Sequence, residues 1–320
     1  MSIGIDPLVD FACKKLLGSP EHPAITLHFL NAVLDGAPKI TEVEILNPII
    51  EKEFDEDKYS ILDVRAKDQL GHRFNIEIQR TKPTALRERL TYYVATQLVE
   101  QIGTGSDYAD LRPSIGICIL DAILFRHIPD LHLDFRLMNA KHRLALTDHL
   151  QIHLLELPKY SPPSHNEAVT HPIEQWCYFF QQADELTAEE IIRRLPDPAF
   201  SEATGVLEMI SRDPDQRRLY EERLKFERDV RANLDFARQE ARQEGLQEGL
   251  QEGRQQGRQQ GRQEGLEVGK REERIRTIKM LREIAGIASP SNENLSNLSL
   301  DELALIEQDI QQRLRKRGLQ

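Results

Sequence analysis

Residues 61–79 read ILDVRAKDQLGHRFNIEIQ, two apolar–polar alternations separated by a turn. Alternation with period two marks a strand with one buried face, because successive side chains point to opposite sides. Gly71 suits the left-handed position of a three-residue loop, Gln69-Leu70-Gly71. That loop pairs Asp68 with His72, and every further cross-strand pair has numbers summing to 140. One face then carries Leu62, Val64, Ala66, Phe74, Ile76 and Ile78; the other carries Asp63, Arg65, Lys67, Arg73, Asn75, Glu77 and Gln79.

This register sets Asp63 directly opposite Glu77, with Cβ atoms about 5 Å apart. Two facing carboxylates repel unless a cation lies between them. Hard oxygen ligands on a rigid sheet suit Mg²⁺ or Mn²⁺. Gln79, on the same face, can orient a water or a phosphate oxygen without adding charge. The surroundings are basic: Lys58, Arg65, Lys67, Arg73, Arg80, Lys82, Arg87 and Arg89 outweigh Asp63, Asp68, Glu77 and Glu88 within residues 58–93. Such a local excess fits phosphate binding around a metal site. The plainer reading is an amphipathic hairpin whose polar face is solvated.

Outward from the hairpin, helical patterning covers residues 6–35, with a break at Gly18-Ser19-Pro20, and residues 84–102, ending at Gly103. Residues 40–50, 114–121 and 150–157 read as strands. Strands alternating with helices over residues 1–160 predict one α/β domain. The Pro/Ser/His loop from Pro158 to Pro172 predicts a boundary, followed by a helical region over 161–230. From Gly245 to Gly269 seven glycines recur at every fourth position among Gln, Glu and Arg. Residues 231–280 are thus a repeat helix or arm, either solvated or self-associating as a homodimer, and 281–320 a helical tail capped near Ser299 and Glu302.

The net charge of −11 argues against a generic nucleic-acid coat, although binding follows the local patch and not the total. Cys13, Cys118 and Cys177 form no disulfide or zinc pattern. The first residues lack a signal-peptide pattern, and the longest apolar stretch, residues 114–125, is interrupted by Asp121; neither export nor a membrane span is expected, and the cytoplasm is the default location. His149 and His153, four apart in a strand, would lie about 13 Å apart, too far to share a metal.

The order Asp63 … Glu77-Ile78-Gln79 resembles the PD-(D/E)XK nuclease superfamily, in particular its Rpn family of recombination-promoting nucleases, also described as transposases. The segments DPLVDFACKKLLGSPEHPAITLHFLNAVL, VEILNP, RERLTYYVATQLVEQIGTGSDYADLRPSIGICILD and LQIHLLEL follow in that family's order. The resemblance implies a restriction-endonuclease-like mixed sheet flanked by helices. It implies that Asp63, Glu77 and the backbone carbonyl of Ile78 hold Mg²⁺ for attack of water on a DNA phosphodiester, with Gln79 where the superfamily commonly has Lys. Lys14, Lys58 or Arg65 would then supply the missing cation, and Lys67, Arg73, Arg80, Lys82 and Arg89 would contact DNA. Cys13 stands where an aromatic residue is expected, a change that bears on packing. The expected function is a metal-dependent DNA endonuclease linked to recombination or transposition. The alternative is a catalytically inactive nuclease-like interaction protein working through its repeat arm.

Overall fold

The computed structural model describes residues 2–36, 38–46, 64–82, 84–163, 168–288 and 295–318. It divides into two compact units, Met1–Val230 and Arg231–Gln320.

The first unit opens with helices α1 (Asp10–Leu17) and α2 (Pro23–Leu34), followed by strands β1 (Val43–Ile45), β2 (Val64–Asp68) and β3 (Arg73–Gln79). Helix α3 (Leu86–Val99) leads to β4 (Ser114–Leu120), then β5 (His132–Arg136), β6 (Met138–Asn139), β7 (Leu144–Ala145) and β8 (Leu150–Glu156). The sheet order is β1-β2-β3-β4-β8-β5, with β6 and β7 forming a separate two-stranded ribbon. β2 is antiparallel to β1 and β3, β4 runs parallel to β3 and β8, and β5 is antiparallel to β8. This is the α/β arrangement that the pattern predicts and the mixed sheet that the resemblance implies.

The β2–β3 register follows the sum of 140: Val64 pairs with Ile76, Arg65 with Asn75 and Lys67 with Arg73. Asp68 N–H donates to the His72 carbonyl, and Gly71 sits at φ 83, where a Cβ would be strained. Asp63 and Lys58 lie outside the described residues.

Val64, Ala66, Phe74 and Ile76 bury one sheet face against α1, α2, α4 (Pro172–Gln182) and α6 (Pro198–Arg212), in a core centred on Trp176, Phe179 and Phe200. The helices after residue 160, including α5 (Ala188–Arg194), therefore share the core of the sheet. The opposite face is covered too. Leu86 and Leu90 of α3 pack on Cys118, Leu120 and Leu154. On β3 this corrects the solvated polar face of the plainer reading, since Asn75 is 5% and Glu77 1% exposed, whereas Arg65 and Lys67 on β2 stay exposed. β4 is buried on both faces, which explains its unbroken apolar run. Strand β5 and the β6–β7 ribbon go beyond the strands that the sequence pattern predicts.

Helix α7 runs from Pro214 to Ala285, and its first residues belong to the first unit. In the second unit α7 includes all seven repeat glycines. Its end packs Ile278 and Ala285 against Leu303 and Ile310 of α8 (Leu300–Arg317). Ser299 and Glu302 form the expected capping box.

Candidate active site

β3 places Glu77 between β2 and β4, on the face covered by α3. A carboxylate this deeply buried requires compensation, because transfer from water penalises the charged form. Arg89, from the first turn and a half of α3, donates from Nη2 to Glu77 Oε1 at 2.5 Å, and Gln79 Nε2 donates to the same oxygen at 2.9 Å. Gln79 thus meets Glu77 along one face of the strand, as the period-two spacing predicts.

The Gln79 carbonyl accepts from Asp121 N–H on the β4 side at 2.8 Å. Backbone groups of a central strand alternate between its neighbours, so the Ile78 carbonyl turns to the β2 side. Cys118, across the parallel register from Glu77, keeps its thiol proton: burial raises its pKa, and the Glu77 charge raises it further.

The anticipated cations are distributed more widely than a rim around one site. Lys14 is buried on α1. Arg65 is half-exposed and pairs with Glu100 at 3.6 Å, just beyond α3. Lys67 and Arg73 face each other at the turn end of the hairpin, about 13 Å along β3 from Glu77. Lys82 lies exposed beyond the other end of β3.

Arg80 is committed internally. It pairs with Asp6 at 2.8 Å and with Glu227 at 3.5 Å, within a group that includes Asp10 and Arg223. Burial raises the Glu227 pKa to about 7; the Asp10 charge reinforces the rise, and the backbone N–H of Asp10 and the Arg80 charge only partly oppose it. Burial likewise raises that of Asp10. His153 is buried on β8 and bonded to His132 at 3.0 Å; burial lowers its pKa to about 4, so the pair is a neutral packing feature.

Two residues have roles that the sequence does not reveal. Arg89, expected to contact DNA, is the partner of Glu77; nothing in their separation signals this pairing, because the helix returns over the sheet. Gln97 is buried on α3 and donates to the Phe74 carbonyl at 3.2 Å, tying the helix to β3.

The donor set fits a hard divalent cation. Glu77 offers a carboxylate oxygen, and Ile78 and Gln79 offer carbonyl-type oxygens. Arg89 already sets one positive charge against this carboxylate. Among the described residues no group of three or more His, Cys, Asp or Glu is placed to hold a metal. Asp63 immediately precedes the first described residue of β2.

The family model for PD-(D/E)XK nuclease family transposases matches residues 7–237. No curated protein and no solved structure matches significantly. Among the described residues, no helix is long and apolar enough to cross a membrane.

Proposed function

The chain belongs to the PD-(D/E)XK nuclease family transposases, and from that membership we propose a divalent-metal-dependent DNA endonuclease that acts in DNA rearrangement. Membership implies a hydrolase acting on DNA. The observation that carries the finer reading is Glu77 itself: a carboxylate at 1% exposure on a central strand, held by Arg89 and Gln79.

In this reading Asp63, Glu77 and the Ile78 carbonyl hold Mg²⁺ or Mn²⁺. When bound, such a cation neutralises phosphoryl oxygens and acidifies water. Arg89 fixes the Glu77 carboxylate and contributes, from α3, a positive charge of the kind that the superfamily's Lys commonly supplies. Gln79 orients Glu77 through its amide and stays neutral. Lys67, Arg73 and Lys82 are offered to the phosphate backbone, whereas Arg80 holds Asp6 and Glu227.

Plasmid cleavage with Mg²⁺ tests the assignment. Asp63→Ala and Glu77→Ala should each abolish nicking at a temperature where circular dichroism shows the variant still folded. If both variants cut as well as the parent, the site is elsewhere. Gln79→Lys restores the commoner triad and should keep or raise activity. The occupation of Glu77 by Arg89 gives weight to the second reading, an inactive interaction protein. Calorimetry discriminates: no Mg²⁺ or Mn²⁺ binding at millimolar metal favours the inactive protein.

A further inference from the structure

The β6–β7 ribbon belongs neither to the sheet nor to the Glu77 site. Residues 137–147, LMNAKHRLALT, contain no Asp or Glu in a chain with 53 acidic residues against 42 basic ones. Every residue from 134 to 146 is exposed. The ribbon is nevertheless built. Met138 pairs with Ala145 and Asn139 with Leu144, and Leu146 N–H donates to the Leu137 carbonyl at 2.9 Å. Asn139 Oδ1 accepts from Lys141 and His142 N–H at 3.1 and 2.9 Å, closing the tip. At the base Arg136 donates to Asp134 at 2.9 Å and to Asp148 at 2.8 Å, clamping entry to exit and engaging the nearest acids in sequence.

The tip presents Lys141, His142 and Arg143. Arg143 has φ 49, a left-handed conformation that glycine takes without strain. An arginine there keeps a charge at a position that the turn alone would give to glycine. Beside the tip, Leu144 and Leu146 are 69% and 78% exposed, and the register sets them on one face with Leu137. A cationic tip with apolar flanks matches how protein ribbons enter DNA grooves: cations meet phosphates, and aliphatic side chains meet sugars and base edges. A second copy of the chain is a poorer occupant, because a two-fold contact through this patch would set like charges against each other.

We propose that the 137–147 ribbon is a second DNA contact that enters a groove of the duplex flanking the cleavage site, with Lys141 and Arg143 on phosphates and Leu144 and Leu146 against the groove wall. The proposal rests on the nuclease reading above. The sheet register puts Leu137 three strands across and four residues along from Glu77. That is about 14 Å by 13 Å, or roughly 20 Å in all, less than the roughly 34 Å of one duplex turn.

Fluorescence anisotropy of a labelled 30-base-pair duplex, with the full chain in EDTA, tests it. Lys141→Glu with Arg143→Glu should weaken binding at least about tenfold and flatten the salt dependence by roughly two phosphate contacts. Arg143→Gly should preserve or raise the melting temperature and still weaken binding, which a purely structural residue would not do. Leu144→Ser with Leu146→Ser should weaken binding with the salt slope unchanged. If the parent binds duplex and all three variants bind equally well, the ribbon proposal falls and the nuclease reading stands. If the parent neither binds duplex nor cuts it with Mg²⁺, both fall. A lower molar mass by light scattering for the leucine variant, with duplex affinity intact, overturns the proposal in favour of an interface between copies.

Discussion

Glu77 and Arg89 act as a unit, because neither charge is comfortable alone beneath α3. Removing one partner of a buried pair leaves an uncompensated charge, which destabilises by roughly 3–5 kcal/mol. Arg89→Ala should therefore lower the urea midpoint strongly, and Arg89→Ala combined with Glu77→Gln should recover part of the loss. A midpoint within error of the parent would show that the pair is solvated. Glu227 gives a pH dependence with a definite sign. Its folded pKa, raised by burial to about 7, exceeds the ordinary 4.5, so the folded chain holds a proton that the unfolded chain releases. Its contribution is most favourable below pH 4.5, declines as pH rises to about 7, and is flat above. Asp10, raised in the same direction, adds to the decline. Glu227→Gln should flatten the melting temperature between pH 5 and 7 relative to the parent; an identical slope would place the effect on other groups.

The β2–β3 hairpin is legible in the sequence because its information is local: a period of two, a glycine with φ 83 and a three-residue loop fix the register. The apolar runs of β4 and β8 are legible for the same reason, and so is the capping box of α8. What covers a strand's polar face is not local. Alternation assigns Glu77 to one side, but only the fold brings α3 back over it and sets Arg89 against it. Strand β5, HLDFR, alternates over only five residues, too short a run to set it apart from a loop, and its pairing with β8 is antiparallel at the sheet edge. Packing at the α3–β4 contact depends on Gly116, where an added Cβ would lie 2.6 Å from Val94 Cγ2. Overpacking of this kind destabilises by about 1–3 kcal/mol. Gly116→Ala should lower the melting temperature, and Val94→Ala in the same chain should restore part of it. If Val94→Ala leaves the Gly116→Ala loss untouched, the strain has another source.

Composition alone distinguishes the chain's two units: the apolar periodicity of the first gives way to Gly, Gln, Glu and Arg in the second. Helix α7 nevertheless passes through all seven glycines of the repeat. Each interior glycine disfavours a helix by about 1 kcal/mol relative to alanine, roughly 7 kcal/mol together. Charged and amide neighbours at i,i+4 return only about 0.2–0.5 kcal/mol per pair, such as Gln260 donating to Glu264 at 3.0 Å. The repeat is exposed along its length, so burial within one chain does not supply the difference. A second copy lying along the glycine groove would bury part of that surface. Such pairing would bring two nuclease domains to one duplex, an arrangement that suits two cuts on opposite strands. Deleting residues 245–269 should then lower the molar mass measured by light scattering and reduce double-strand breaks more than nicks. Replacing the seven glycines with alanine should raise helicity in the isolated segment and weaken self-association by blocking close approach. An unchanged molar mass in the deletion would remove the pairing and leave the repeat as a spacer.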